Sequence, residues 1–409
     1  MRLINKYLYN IYIAISISII LRLWLLNTYG DTTFENEWGT LFKNLKNSGV
    51  LSYRSFEGQL IPSVYMPPLY VYFIFLIDII IPSPIDLVKS ILIFQILISG
   101  FTVYFFYKIN LIFFTKKFSF ISTLIFIFFP IHVYSCLQIS SISIQILLNI
   151  LFLYLTLNII NNKPDFRLCI LLGFISALTI LLRGEFILIF CLSLFFLIFY
   201  KKINLKQIIV IILFTIITVS PYLTRNYLTF NKVTITKSLG YNLWKGNNID
   251  SGVEGSESFL AFKNDNVDKK IINLQKDYLY DFNYDDIFLK TSIKFIKENP
   301  ILFFERYTKK FLSFTLLNLE SSYPNYNHFS HIITMFLLSL FFLLSIIFNY
   351  QKKSLSYQYL IFNMFITISI FSIFFILPRY KLIILPAQLL IANFLFIKLF
   401  YKNFKKKGV

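Results

Sequence analysis

Apolar runs of about 18 to 22 residues recur along most of this 409-residue chain, and a run of that length lets a helix cross the ~30 Å hydrocarbon core of a bilayer. They predict spanning helices at roughly 7–27, 86–108, 117–134, 143–160, 168–182, 185–200, 207–224, 330–349, 356–377 and 381–400. A further apolar piece, 68–82, opens at Pro67-Pro68 and closes at Pro82 and Pro84. About fifteen helical residues rise only about 22 Å, so it reads as a short interfacial or re-entrant helix. Two polar stretches, 28–67 and 225–329, interrupt the series. In the first, Phe34, Trp38, Leu41, Phe42 and Leu45 follow helical spacing, predicting an amphipathic helix over 34–47 that lies on the bilayer. The second has Gly240, Gly246, Gly252 and Gly255 near its start, then helical spacing over 266–283 and 285–317, with Pro300 at the start of a surface helix. No repeat at solenoid periods is visible and the two halves do not resemble each other. The expected fold is an all-α polytopic membrane protein with ten crossings. Its parts are an N-terminal transmembrane region (1–224), a mainly helical external subdomain (225–329) and C-terminal transmembrane helices (330–409).

Composition agrees with the pattern. Charged residues make up 14% of the chain and hydrophobic ones 57%, whereas a soluble domain is about 25% charged. The net charge of +19 would suit a nucleic-acid binder, but its distribution does not. The two polar stretches hold 16 of the 20 acids and only 17 of the 39 basic residues. The other basic residues sit at helix ends and short connections, a positive-inside pattern that reports topology and excludes a nucleic-acid partner. Lys116-Lys117, Lys163 with Arg167, Lys201-Lys202, Lys352-Lys353 and Lys402 to Lys407 all fall on the cytoplasmic side if 68–82 does not cross. Both termini are then cytoplasmic. Arg2 and Lys6 precede an apolar run without a cleavage site, so the first helix reads as retained. Arg22, near the outer end of that helix, either snorkels to the interface or faces the bundle. Cys136, Cys169 and Cys191 give no disulfide framework and no metal spacing.

The chain lacks a glycine-rich phosphate loop, HExxH, paired CxxC and GxSxG. His132, His328 and His331 are isolated and read as interfacial. Chemistry would therefore rest on carboxylates and cations at the external face. Asp31, Glu35 and Glu37 lie within seven residues of the first loop, where they either cap and solvate the amphipathic helix or supply a general base. Arg225 stands in "SPYLTRNYLTF", Arg379 and Lys381 in "LPRYKLIILP", and Arg183 with Glu185 in "TILLRGEFILIF". Each cation alone is an interfacial anchor. Together beside a carboxylate loop they would suit a lipid-linked phosphate.

In order along most of the chain, "ILRLWLLN", "ENEWGTLFKNL", "YMPPLYVYFIF", "LTILLRGEFILIF", "SPYLTRNYLTFNKVTITKSLGYNLWKGNN", "NPILFFERYTKKFLSF" and "LPRYKLIILPAQLLI" resemble segments of the GT-C integral-membrane glycosyltransferases. The likeness is greatest to bacterial relatives of the protein O-mannosyltransferases and the aminoarabinose transferase. The resemblance implies transfer of a sugar from a polyprenyl-phosphate donor to a lipid, glycan or protein acceptor. It would occur at the periplasmic face of a bacterial inner membrane; the richness in Ile, Phe, Lys and Asn suits an AT-rich bacterial genome.

A first-loop acid would activate the acceptor. Relatives often place it three or four residues before an aromatic. If that aromatic is Trp38, the matching positions are Phe34 and Glu35, with Glu37 one residue before it; Glu37 or Glu35 is the expected base, with Asp31 third. Arg225, Asn226 and Arg379, with Lys381 and Arg183, match the surroundings of the carrier phosphate, and Tyr65, Tyr70, Asn247 and Asn248 those of the substrate. "HVYSCLQISSISIQIL" departs from the pattern, with Ser140 and Ser141 where relatives often carry an acid. No metal ligand is assigned, and a divalent metal stays open. The rival readings are a lipid-linked sugar flippase or transporter, a polysaccharide polymerase and a non-catalytic scaffold. Few mid-span charges and no repeated halves weigh against the transporter.

Overall fold

The structure, a computed structural model, describes residues 10–81, 86–257, 267–323, 326–348 and 354–400. Arg2, Lys6, Pro82, Pro84, Lys352, Lys353 and Lys402 to Lys407 lie outside the described residues, as do the first residues of the 7–27 run, residue 266 and the last residue of the 330–349 run.

The chain begins with α1 (Ile11–Tyr29) and α2 (Glu37–Ser48), followed by a hairpin of β1 (Arg54–Phe56) and β2 (Gln59–Ile61). Next come α3 (Leu69–Ile80), α4 (Leu87–Phe113), α5 (Lys116–Ile127), α6 (Pro130–Ser135), α7 (Ile142–Asn161), α8 (Phe166–Leu182), α9 (Phe186–Phe199) and α10 (Leu205–Phe230). The second polar stretch holds α11 (Leu239–Gly246), α12 (Val267–Ile272), α13 (Tyr280–Glu298) and α14 (Pro300–Thr315). α15 (Phe329–Ile347), α16 (Leu355–Ser372) and, after a 3₁₀ turn at Pro378–Tyr380, α17 (Lys381–Phe400) close the chain. Among the described residues, 7 helices are long and apolar enough to cross a membrane: α1, α4, α7, α10, α15, α16 and α17 with its 3₁₀ turn. α3, α8 and α9 are apolar but shorter. The chain is a mostly helical, multi-pass membrane protein.

Two departures from the sequence pattern have local causes. The run at 117–134 is two helices, α5 and α6. Pro130 has no N–H for the Phe126 carbonyl, which instead lies 3.1 Å from His132 Nδ1, and the Ile127 carbonyl at the end of α5 accepts from Arg22 Nη2 at 3.4 Å. Arg22 is fully buried and faces the bundle; it also donates to Ser18 Oγ at 2.6 Å and to His132 Nδ1 at 3.0 Å. His132 is therefore buried beside a guanidinium and not interfacial. Within 285–317, Pro300 begins a helix as expected, and Asn299 before it leaves helical backbone because a residue preceding proline avoids it. The first loop adds a hairpin to an otherwise helical chain. Its two turn residues, Glu57 (φ 51°) and Gly58 (φ 81°), are both left-handed, as a two-residue type I′ turn demands.

Helix ends sort into two poles. At one, Ser356 Oγ donates to Asn161 Oδ1 at 2.7 Å and Gln207 Nε2 to the Pro164 carbonyl at 2.7 Å. At the other, the first loop, α6–α7, α8–α9 and the 231–328 stretch meet. α3 runs beside α2: Trp38 packs edge-on against Tyr70 at 5.0 Å, and Lys46 pairs with Asp78 at 2.8 Å. Both ends of α3 thus stay level with the first loop.

Candidate functional site

α2 begins one residue after Asn36, whose side chain accepts from the backbone N–H groups of Trp38 and Gly39, both at 3.1 Å. That cap sets Glu37 on the first turn and leaves Glu35 just outside the helix. Both carboxylates are solvent-exposed. Glu37 lies close enough to Tyr53 that its charge, after burial, is the largest influence raising that phenol. Asp31 has a different task. Its backbone N–H donates to the Leu137 carbonyl at 3.0 Å and its Oδ2 accepts from Ile139 N at 2.6 Å, tying the first loop to the segment after α6. Burial lifts the Asp31 carboxyl above the ordinary range, against the pull of the Ile139 hydrogen bond.

The hairpin carries Arg54 into a cluster of which sequence reasoning had named only Tyr65. Its guanidinium stands over the rings of Tyr284 (4.6 Å), Tyr280 (5.2 Å), Tyr53 (5.7 Å) and Tyr65 (5.8 Å), and Nε lies 3.5 Å from Asp281 Oδ1. Tyr53 and Tyr65 stack at 5.4 Å, and Tyr241 meets Tyr65 edge-on at 6.1 Å. Asp281 also accepts from Ser63 Oγ at 2.6 Å and Val64 N at 3.1 Å, so α13 holds the hairpin's exit. Four residues on, Asp285 accepts from Tyr241 N at 2.9 Å at the start of α11 and lies 3.6 Å from Lys237. Burial raises the phenols of Tyr65, Tyr241 and Tyr284, so they stay protonated donors at neutral pH. Two signals in the sequence point here: the Glu57-Gly58 turn between apolar positions, and Tyr280/Tyr284 with Asp281/Asp285 at i, i+4.

Several expected phosphate or substrate contacts are occupied by the protein itself. Arg225 donates through Nη1 to the Ser63 carbonyl (3.1 Å) and Asn226 Oδ1 (2.8 Å), and through Nη2 to the Leu51 carbonyl (3.4 Å). Asn226 is buried and donates to the Thr234 carbonyl at 2.6 Å. Asn247 donates to the Leu243 and Ile373 carbonyls, both at 2.8 Å, and Asn248 to those of Trp244 (3.1 Å) and Ser256 (3.0 Å). Lys310, buried below them, donates to the Gly246 (2.9 Å) and Phe374 (2.5 Å) carbonyls and to Asn247 Oδ1 (3.2 Å); burial pulls its ammonium down to about 7. Gly246 is required here, since a Cβ would lie 2.0 Å from the Phe374 carbonyl oxygen. Tyr70 is buried, its hydroxyl on Gln95 Oε1 at 2.8 Å.

Arg183, Arg379 and Lys381 form a second group. Arg183 caps α8, contacts Gln145 Oε1 through Nε at 3.3 Å and lies over the Tyr380 ring at 5.2 Å. Arg379 is exposed on the other flank, 6.0 Å from the same ring. Lys381 is buried, and Nζ has no hydrogen-bond partner among the described residues. It lines a small cleft with Glu254, Asn318 and Tyr326; His331, whose ring packs on Tyr326 at 4.6 Å, is buried rather than interfacial. Tyr380 joins this group to the tyrosines through Phe375 (6.1 Å) and Lys245, which lies 4.9 Å from the Phe375 ring and pairs with Glu257. Among the described residues no three His, Cys, Asp or Glu side chains gather as a metal site. No protein-family model matches the chain, and no curated protein matches its sequence.

Proposed function

We propose that this chain is a GT-C-like glycosyltransferase with ten crossings, which moves a sugar from a polyprenyl phosphate to an acceptor at the periplasmic face of a bacterial inner membrane. The observation that carries the reading is the gathering, at one pole, of exposed first-loop carboxylates and a separate cation group around Tyr380. The ordered likeness of the segments adds to it. Glu37 or Glu35 takes the proton of an acceptor hydroxyl or amine. The freed lone pair attacks C1 of the sugar, and the C1–O bond breaks toward the phosphate, which leaves as an anion. One displacement inverts the anomeric centre. Arg379, Arg183 and Lys381 stabilise the charge that grows on the leaving phosphate. Arg225 serves the same site by bracing the first loop.

A second reading, a transporter of lipid-linked sugars, draws on one observation: Arg22 and His132 are ionisable groups buried inside the bundle. Comparing envelope glycans and lipids of cells with and without the gene separates the two. Deletion is expected to remove a specific sugar from an envelope product, and the Glu35→Gln/Glu37→Gln variant to restore less than about 1% of it. Full rescue by that variant, with a polyprenyl-phosphate sugar lost from the outer leaflet on deletion, would overturn the enzyme reading.

A further inference from the structure

The tyrosine cluster at the loop pole has features that packing alone does not explain. Tyr53, Tyr65, Tyr241 and Tyr284 are each only partly buried, although aromatic rings of a structural core are covered on all sides. The hydroxyls of Tyr53 and Tyr65 make no hydrogen bond among the described residues. Arg54 keeps a quarter of its side chain exposed at the centre of the rings. Its charge is balanced by Asp281 at 3.5 Å, so the cluster offers no net cation to a phosphate or carboxylate. What it presents is a set of flat apolar faces rimmed by neutral hydroxyl groups and by guanidinium N–H donors in fixed directions. A pyranose ring has the complementary surface, with an axial C–H face for an aromatic ring and equatorial hydroxyls needing both donors and acceptors. The cluster stands next to Glu37, whose charge acts on Tyr53, and Lys245–Glu257 closes its other side against Tyr241.

We propose that Tyr53, Tyr65, Tyr241 and Arg54 form a saccharide subsite, and that the acceptor is a glycan or glycolipid headgroup whose sugar ring lies on these tyrosines with a hydroxyl turned toward Glu37. This deepens the glycosyltransferase reading and rests on it. Tyr53 and Tyr65 supply stacking area and hydroxyl partners, and Asp281 keeps the Arg54 fork oriented while cancelling its charge.

Saturation-transfer NMR tests the subsite on the full chain in lipid nanodiscs, with Glu37→Gln blocking turnover. The probes are oligosaccharides released from the envelope of the strain that carries the gene. At least one is expected to bind, and the double variant Tyr53→Phe/Tyr65→Phe to weaken it at least tenfold. That variant keeps the rings and the packing, so its melting temperature is expected to be unchanged; a purely structural cluster would give no change in binding. Failure of every oligosaccharide to bind, or binding untouched by both Tyr→Phe and Tyr65→Ala, overturns the subsite. The two readings fail separately. Transfer to a protein or a sugar-free lipid defeats the subsite and leaves the transferase standing. Oligosaccharide binding at the tyrosines in a strain whose envelope is unchanged by deletion defeats the transferase and leaves the subsite.

Discussion

Asp31 and Glu37 stand six positions apart in sequence and differ in every physical respect that matters. Glu37 is exposed on the first turn of a capped helix, free to meet a substrate. Asp31 is half-buried, and its carboxylate is spent on the Ile139 backbone. Because burial raises its folded pKa above 3.8, the native state holds the Asp31 proton more tightly than the unfolded chain does. The associated stability is full below pH 3.8 and is lost as pH rises through the folded value. The variant Asp31→Asn keeps an oxygen for Ile139 and removes the titration. Its melting temperature relative to the parent is therefore expected to rise between pH 4 and pH 7, read by thermal melts in nanodiscs; equal slopes would contradict the assignment. Arg22 is the other residue with a sharp consequence. Truncating Arg22→Ala strands the Ile127 carbonyl, leaves His132 Nδ1 with the Phe126 carbonyl alone and opens a cavity. It is expected to cost about 2–5 kcal/mol, seen as a lowered denaturation midpoint.

At the level of elements, sequence patterning carries far for helices and poorly for the site. Hydrophobic runs of 3.6 periodicity located α7 and α15 to within two residues, since a long apolar helix in a bilayer satisfies all its own hydrogen bonds, whereas α10 continues six residues past its apolar run to Phe230. The α5–α6 break escaped because the run stays apolar through Pro130, and only the folded chain shows which groups the Phe126 and Ile127 carbonyls meet. The β-hairpin escaped because three-residue strands are too short for a period-2 signal. The acids and cations of the candidate site were visible as residue types. Their roles were not, because they depend on partners far away in the chain: Arg225 reaches the Leu51 carbonyl 174 positions away, Asn247 the Ile373 carbonyl 126 positions away, and the Asn248 carbonyl accepts from Arg306 58 positions on.

For the whole molecule, the placement of α3 decides which side every later connection faces. Lys46 and Asp78 hold the ends of α2 and α3 together, and the ten-crossing proposal has α3 return the chain to the side it came from. In a background with Cys136, Cys169 and Cys191 replaced, a membrane-impermeant maleimide is expected to label Ser48→Cys, Ile80→Cys and Glu298→Cys from one side. Asn162→Cys and Ser354→Cys should react only from the other. Labelling of Ile80→Cys with the second set would put α3 across the bilayer and reverse the sidedness of everything after it.

The α2–α3 pair has a further consequence under the ten-crossing proposal. Twelve residues of α3 rise about 18 Å, and its Tyr72, Leu76, Ile79 and Ile80 are exposed apolar side chains. Lying beside α2 without crossing, the pair would add bulk to the leaflet at the loop pole alone, and a body wider in one leaflet would gather where the membrane bulges toward that leaflet.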